Sequence, residues 1–156
     1  MNYIISFTFY SASFFLFTGC LYAQQVKNDS WEKLVPSDNI PKNLKLKKAN
    51  NNLDVVEFND RYYLAFRNSS NHFASRKARL IILSSNDLRT WEFEKEIHLN
   101  NDLREPRFAV YKEQLFLYFF QGGHTFYKFE PQHVYYCTYS NEEGWTDHIN
   151  AQLNGY

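Results

Sequence analysis

Cysteine is scarce in this chain of 156 residues, which contains only Cys20 and Cys137. Two cysteines exclude a disulfide framework and a cysteine-based metal site. Cys137 lies in a strand-like run between Tyr136 and Thr138, so we expect a buried structural thiol there. Glycine and proline are also few, at 5 and 4 residues, and no glycine-rich phosphate loop precedes a helix. Nucleotide-binding folds that depend on such a loop are therefore not indicated.

An excess of charge of either sign is absent, because 17 Lys and Arg residues balance 17 Asp and Glu residues. No basic stripe with interleaved aromatic residues stands out, so nucleic acid is not an expected partner. The five histidines are scattered without H-E-x-x-H spacing, and no G-x-S-x-G motif occurs. We therefore expect neither a bound metal nor another cofactor.

Aromatic residues, by contrast, are abundant, at 19% of the chain and mostly Phe and Tyr. This composition suits β-strands and surfaces that stack on sugar rings. The plain alternative for each of these residues is that it fills a β core.

The N-terminus is apolar, and its first charged residue is Lys27. The pattern over residues 1–23 is typical of a secretory signal. Phe17-Thr18-Gly19-Cys20 resembles a bacterial lipobox with a lipidated Cys20, whereas Leu21-Tyr22-Ala23 resembles an ordinary signal-peptidase site. An uncleaved anchor is a third alternative, because the run approaches the ~20 residues that span a bilayer. We expect an exported protein that is periplasmic, secreted, or anchored to the outer membrane through its N-terminus.

Residues 24–51 form a polar, lysine-rich segment that Pro36 and Pro41 interrupt. Proline disfavours regular ladder hydrogen bonding, and the Asn50-Asn51-Asn52 run is a loop signal. We predict an extended N-terminal arm over this segment.

The rest of the chain repeats one pattern of alternating apolar residues and turns. The alternation predicts strands at residues 53–58, 61–67, 79–84 and 91–97, and again at 107–111, 114–120, 133–139 and 145–149. The segment Phe58–Phe66 aligns with Tyr111–Phe119 at an offset of 53 residues (58 to 111), and Trp91 aligns with Trp145 at an offset of 54 (91 to 145). A four-strand period of about 50 residues is typical of β-propeller blades.

We therefore predict an all-β fold: a β-propeller fragment over residues 52–156, with two four-stranded antiparallel blades at 52–98 and 106–150. A plain antiparallel meander or sandwich is the alternative. Two blades are fewer than the ~4 that close a ring. We expect either a truncated reading frame, which is the more economical account, or chain association that covers the open blade edges.

In a propeller blade, the loop between the second and third strands lies on the same face as the loop into the next blade, around a central pocket. The charged and polar residues that this topology assigns to that face are Asp54, Arg67, His72, Arg104, Glu105, Arg107, Gln121 and His124. Carboxylates in such a pocket can act as acid, base or nucleophile at an anomeric carbon, and Arg can bind a sugar carboxylate. A surface ion pair or a loop anchor is the alternative for each residue.

The turn Ser85-Asn86-Asp87-Leu88-Arg89-Thr90-Trp91 resembles the S-x-D-L-x-x-W turn of five-bladed propeller glycosidases, which include arabinanases, xylosidases and the invertase group. It is also similar to the Asp-box of sialidases, and Tyr63-Leu64-Ala65-Phe66-Arg67 looks like a sialidase strand that ends in Arg. The second copy of the turn, Ser140–Trp145, is degenerate. In these families the turn is structural, because its Asp accepts hydrogen bonds from turn amides.

Arg104-Glu105-Pro106-Arg107 is similar to the Arg-Asp-Pro motif of invertase-like enzymes. The resemblance implies that Glu105 is a catalytic carboxylate and that Asp54 occupies the position of the nucleophile or base. The residues implied to bind a carbohydrate substrate are Arg67, His72, Arg104, Arg107, Gln121 and His124. The general acid of these families comes from a later blade, so we expect little hydrolysis by this chain. The implied function is a glycosidase-like, carbohydrate-processing one, and the alternative is a non-catalytic carbohydrate-binding or interaction module at the cell surface.

Overall fold

The computed structural model describes residues 33–123, 125 and 130–152, and these residues form strands and loops without any helix. The first sheet has the order β1 (Ala49–Phe58), β2 (Arg61–Ser69), β3 (Arg79–Ser85) and β4 (Glu92–Ile97). The second sheet has β5 (Leu103–Tyr111), β6 (Gln114–Gln121) and β7 (His133–Ser140), and the short strands β8 (Gly144–Trp145) and β9 (Ile149–Asn150) both pair with β7. All pairings are antiparallel, so the all-β prediction is confirmed. Within the described ranges, no helix offers an apolar stretch long enough to cross a bilayer.

The backbone reproduces the sequence repeat at the first hairpin of each sheet. Asn59 and Asp60, between β1 and β2, have φ of 51° and 58°, and Lys112 and Glu113, between β5 and β6, have φ of 47° and 60°. Two consecutive left-handed residues define a type I′ turn, whose twist matches that of the flanking strands. The two turns lie 53 residues apart (59 to 112), as the aligned sequences predict.

The main differences from the predicted strands are two early strand starts and one divided strand. The first sheet begins at Ala49 and the second at Leu103, ahead of the predicted blade starts at residues 52 and 106. The predicted last strand, 145–149, is divided into β8 and β9. Thr146 lies in the gap, where its hydroxyl accepts from the Thr138 N–H at 3.0 Å and its own N–H donates to the Thr138 carbonyl at 2.8 Å. The Thr146 hydroxyl thus replaces a backbone carbonyl as the acceptor of one hydrogen bond between the strands, and this interrupts the strand.

One hydrophobic core fills the space between the two sheets. The buried residues that the first sheet contributes are Tyr63, Ala65, Leu80, Ile82 and Ile97, and the second sheet contributes Leu103, Leu115, Leu117, Phe119, Cys137 and Trp145. Every second residue of β2 and β6 faces this core, as the period of a strand requires. Cys137 is fully buried, which confirms the expected structural thiol, and its burial raises the thiol pKa to about 12.

The opposite face of the first sheet is covered by the segment before β1. Below, the arm means residues 33–48, the described part of the predicted N-terminal arm that precedes β1. The arm contributes Leu34, Val35, Ile40, Leu44 and Leu46 to a second core with Leu64, Phe66, Ile81, Leu83 and Trp91 of the sheet region. The Trp91 N–H donates to the Asn39 carbonyl at 3.1 Å, which fixes the arm to the start of β4. The first sheet is therefore the middle layer between the arm and the second sheet.

Asp87 organises the turn between β3 and β4. Its Oδ1 accepts hydrogen bonds from the N–H groups of Thr90 at 2.7 Å and Arg89 at 2.8 Å, and from the Ser85 hydroxyl at 3.0 Å. The Thr90 and Arg89 amides and the Ser85 hydroxyl lower the pKa of Asp87 to about 2. Asp87 thus stabilises the turn by accepting hydrogen bonds from turn amides, which is the structural role that the sequence predicts.

Candidate functional site

A β-bulge interrupts the first strand of each sheet at equivalent positions. Between Asn51 and Asp54, β1 has one more residue than the β2 segment that it faces, and β5 has the same excess between Arg104 and Arg107. The bulges contain Asn52 with φ of 51° and Glu105 with φ of 48°, 53 residues apart. A left-handed conformation costs free energy in residues other than Gly, and a bulge redirects the side chain that it carries. The two bulges therefore aim an amide and a carboxylate out of the regular sheet pattern.

These two bulge residues contact each other across the sheet boundary. The Asn52 side-chain amide donates to Glu105 Oε1, and the Arg107 guanidinium donates to Glu105 Oε2 at 3.1 Å. The side chains of Glu105 and Arg107 are 41% and 56% exposed, so both remain open to a ligand. With Asp54, which lies two residues after Asn52, these residues are called the bulge group below.

Asp54 fixes the first strands of the two sheets against each other. Its Oδ2 accepts a hydrogen bond from the backbone N–H of Phe108 at 2.7 Å, and its side chain is half-buried. One carboxylate oxygen of Asp54 therefore already has a strong structural partner.

A buried ionic network lies next to the bulge group. Asp102 accepts from Arg67 Nε at 3.1 Å and Nη2 at 2.6 Å through its Oδ1, and from Arg104 through its Oδ2. Arg67 and Asp102 are fully buried, and the Arg104 side chain is 19% exposed. Arg67 also donates to Asn51 Oδ1 at 3.3 Å, which connects this network to β1. We call Arg67, Asp102 and Arg104 the arginine–aspartate network.

The arginine–aspartate network holds the loop between β2 and β3. Arg67 donates to the carbonyls of Asn71 at 3.0 Å and Phe73 at 2.8 Å, and Arg104 donates to the carbonyl of His72 at 2.7 Å. Arg67 thus directs its hydrogen bonds inward, and in this position it supports the site and does not face a ligand. His72 contributes its backbone to the network and leaves its side chain exposed.

The remaining predicted residues lie farther along the second sheet or outside the described residues. Gln121 is buried at the end of β6, where it donates to Gln132 at 3.0 Å and accepts from the Tyr135 hydroxyl at 3.1 Å. The N–H of the next residue, Gly122, donates to the Asp102 carbonyl at 2.7 Å, so this end of β6 adjoins the arginine–aspartate network. His124 and Cys20, with the whole predicted signal segment, lie outside the described residues.

A groove of about 390 Å³ lies beside this end of the second sheet, lined by residues that include Phe120, Gln132, Val134 and Gln152. No member of the bulge group lines it. The bulge group therefore lies outside this groove. Among the same residues, no group of three His, Cys, Asp or Glu side chains is placed to hold a metal ion.

Sequence reasoning missed Asn52 and Asp102. Asn52 is the repeat equivalent of Glu105, so the 53-residue offset could have identified it. Asp102 is three residues before Glu105 in a polar loop, and nothing in its local pattern distinguishes a buried ion-pair partner from a solvated turn residue.

No protein-family model matches this chain, and no similar sequence is found among curated proteins.

Proposed function

We propose that the two sheets are neighbouring blades of a β-propeller and that the bulge group belongs to a carbohydrate site at its centre. The support is the equivalence of the two sheets in strand order, type I′ turn and bulge at a fixed offset. In such a ring the first strands of the blades line the central axis, which places both bulges at the pocket. The alternative fold, a meander or sandwich of two packed sheets, gives no reason for the same bulge to occur in the first strand of both sheets.

The proposed activity is glycosidase-like hydrolysis, and the position of Glu105 is the observation that carries it. Glu105 is a partly exposed carboxylate in a left-handed bulge, and it is oriented by Asn52 and Arg107. Backbone conformations of this kind cluster at functional sites, where the surrounding structure offsets their cost. An oriented carboxylate can hold sugar hydroxyls and stabilise positive charge at the anomeric carbon.

The other residues take supporting roles in this proposal. Asp54 is the second carboxylate, and Arg107 is the exposed cation that binds hydroxyl or carboxylate groups of the sugar. Arg67, Asp102 and Arg104 hold the loops around them.

Hydrolysis of aryl arabinosides, xylosides and sialosides by the full chain tests this activity. We expect weak turnover of at least one of them, and we expect Glu105→Gln to lower kcat/KM at least ~100-fold, the loss typical of removing a group that stabilises charge in the transition state. Glu57→Gln, an exposed carboxylate on the same strand as Asp54, is the matched control and should leave turnover unchanged. Turnover that survives Glu105→Gln would contradict the assignment of Glu105.

A non-catalytic sugar-binding function is the second candidate, and the hydrogen bonds of the carboxylates favour it. Asp54 Oδ2 and both oxygens of Glu105 already accept bonds from within the chain. Carboxylates engaged in this way suit ligand positioning better than proton transfer. Glycan-array binding without turnover, lost in Arg107→Ala and retained in Lys112→Ala, would support this candidate. Absence of both binding and turnover would reject both functions.

A further inference from the structure

Five cationic residues come together where the arm passes the end of the loop between β2 and β3. They are Lys45 and Lys47 of the arm, Arg76 and Lys77 of the loop, and Arg79 at the start of β3. Lys45, Arg76 and Lys77 are exposed, and Lys47 and Arg79 are partly buried. We call these five residues the basic patch. Acidic and basic residues are equal in number over the whole chain, so the patch is a local concentration of positive charge.

Hydrogen bonds hold the arm and loop parts of the basic patch together. The Lys47 ammonium donates to the Lys77 carbonyl, and the Arg79 guanidinium donates to the Lys45 carbonyl at 2.5 Å. The side-chain oxygen of Asn68 accepts from the Lys47 N–H at 3.2 Å and from Arg79 Nε at 2.9 Å. The cations are therefore brought together by fixed contacts between segments about 30 residues apart in the chain.

The positive charge of the basic patch is only partly neutralised within the described residues. Glu96 pairs with Arg79 at 2.6 Å, and the other four residues of the patch form no salt bridge with a described residue. Burial, followed by the charge of Arg79, lowers the pKa of Lys47, and Lys77 acts in the same direction. The cations thus repel one another, and a bound anion would relieve this repulsion.

We propose that the basic patch binds an anionic polysaccharide through the carboxylate or sulfate groups of successive sugars. The choice of a carbohydrate rests on the proposed function, whereas the positive charge of the surface does not. The arginine–aspartate network binds the same loop at residues 71–73, and Arg76 follows three residues later, at most ~11 Å along the chain. A polymer of several sugars is long enough to extend from that end of the loop to the patch.

The surroundings of the basic patch favour a polysaccharide over a membrane or a nucleic acid. Leu44 and Leu46, which alternate with the lysines of the arm, pack into the second core and are not directed outward for insertion between lipids. Residues 45–48 and 75–79 contain no aromatic side chain on which nucleic-acid bases could stack. A charged polysaccharide has neither acyl chains nor bases, and its anionic groups are ligands for Lys and Arg.

Fluorescence anisotropy with labelled polygalacturonate and labelled dextran sulfate tests the proposal, with neutral dextran for comparison. We expect the full chain to bind both anionic polymers and not dextran, and to bind more weakly as salt is added, because binding releases counterions. The double substitution Arg76→Gln and Lys77→Gln should weaken binding at least about tenfold and lower the slope of log affinity against log salt by about two. Circular dichroism verifies that the variant is folded.

The double substitution Arg89→Gln and Lys112→Gln is the matched control, because it removes the same charge from two exposed turn residues outside the basic patch. It should leave binding unchanged. Equal weakening by the two double substitutions, or no binding at low salt, overturns the proposal. Single-stranded DNA or phosphatidylglycerol vesicles that bind more tightly than both polysaccharides, and that are lost with Arg76→Gln and Lys77→Gln, overturn it in favour of that partner.

Binding at the basic patch and hydrolysis at the bulge group are measured separately. A chain that binds the anionic polymers but hydrolyses no aryl glycoside supports the patch and contradicts the glycosidase-like activity. A chain that hydrolyses an aryl glycoside but binds neither anionic polymer does the reverse.

Discussion

Asp102 is the residue at which the loops and both sheets converge. Its carboxylate accepts from Arg67 and Arg104, and its carbonyl accepts from Gly122. Since Arg67 and Asp102 are both fully buried, neither can exchange its partner for water. The position of the β2–β3 loop, and with it the surroundings of Glu105, therefore depends on a single carboxylate.

Asp102→Asn is expected to lower the free energy of unfolding by about 3 kcal/mol, because loss of one partner leaves a buried charge uncompensated. Urea unfolding followed by circular dichroism measures the change. Glu96→Gln removes the negative charge from the partly exposed salt bridge between Arg79 and Glu96 and should cost less than about 1 kcal/mol. An equal, small effect of both substitutions would show that the arginine–aspartate network contributes little.

The burial of Arg67 and the backbone conformation of Glu105 could not be predicted from the sequence. Arg67 was predicted to bind substrate because it ends a strand at the pocket face, but period-2 alternation cannot reveal that a loop carboxylate 35 residues later buries it. Glu105 and Arg107 were identified from their motif and do lie together, whereas the left-handed φ of Glu105 has no signal in a sequence of this type.

At the scale of elements, strands and turns followed the sequence closely. Alternating apolar residues located the main strands, and both hairpin turns fall where the polar pairs interrupt the alternation. The early start of β5 was missed because Pro106 and the polar residues before it predict a loop. The bulge accommodates Pro106 inside the strand, since a proline is tolerated where the ladder is already interrupted.

The Asp87 turn makes a specific contribution to the pH dependence of folding. The pKa of Asp87 is lowered from its ordinary value of 3.8 to about 2, so its stabilising contribution is complete above about pH 4 and is lost as the pH falls toward 2. Asp87→Asn should therefore lower Tm at pH 7, and the difference from the wild type should shrink between about pH 4 and pH 2.

Thermal melts at neutral pH and at the two ends of this acidic range measure the difference. Thr90→Val removes a hydroxyl 3.4 Å from Asp87 Oδ2 but keeps the Thr90 N–H donor, so it should retain the wild-type pH dependence. A Tm difference for Asp87→Asn that stays constant throughout the acidic range would show that the carboxylate charge is not what stabilises the turn.

At the scale of the whole molecule, the arm and the two sheets form three layers in the described part of the chain, whereas the strand pattern predicted only the two sheets. The sequence indicates a polar extended arm over residues 24–51, and lysines do separate its apolar residues. In the structure the described part of the arm buries Ile40 to 5% exposure against the first sheet. The scattered apolar residues of this lysine-rich segment give no periodic signal, so its packing against the first sheet could not be predicted.

Ile40→Ala should destabilise the protein by about 2–4 kcal/mol, the usual cost of deleting a buried aliphatic side chain. It should also shift the fluorescence of the protein to longer wavelength, because Trp91 lies in the same core and would gain contact with water. Val55→Ala, at a β1 position that is 52% exposed, is the control and should change neither quantity. Wild-type stability in Ile40→Ala would mean that the arm does not close this face.

The matching bulges have a consequence for how the chain arose. Two units whose turn and bulge recur after 53 residues and whose tryptophan recurs after 54 have the pattern that tandem duplication of one segment produces. Asn52 and Glu105 occupy equivalent positions of the repeat, which hold an amide in one unit and a carboxylate in the other. The hydrogen bond between them joins two equivalent positions of the repeat, and the difference between an amide donor and a carboxylate acceptor makes the pairing complementary.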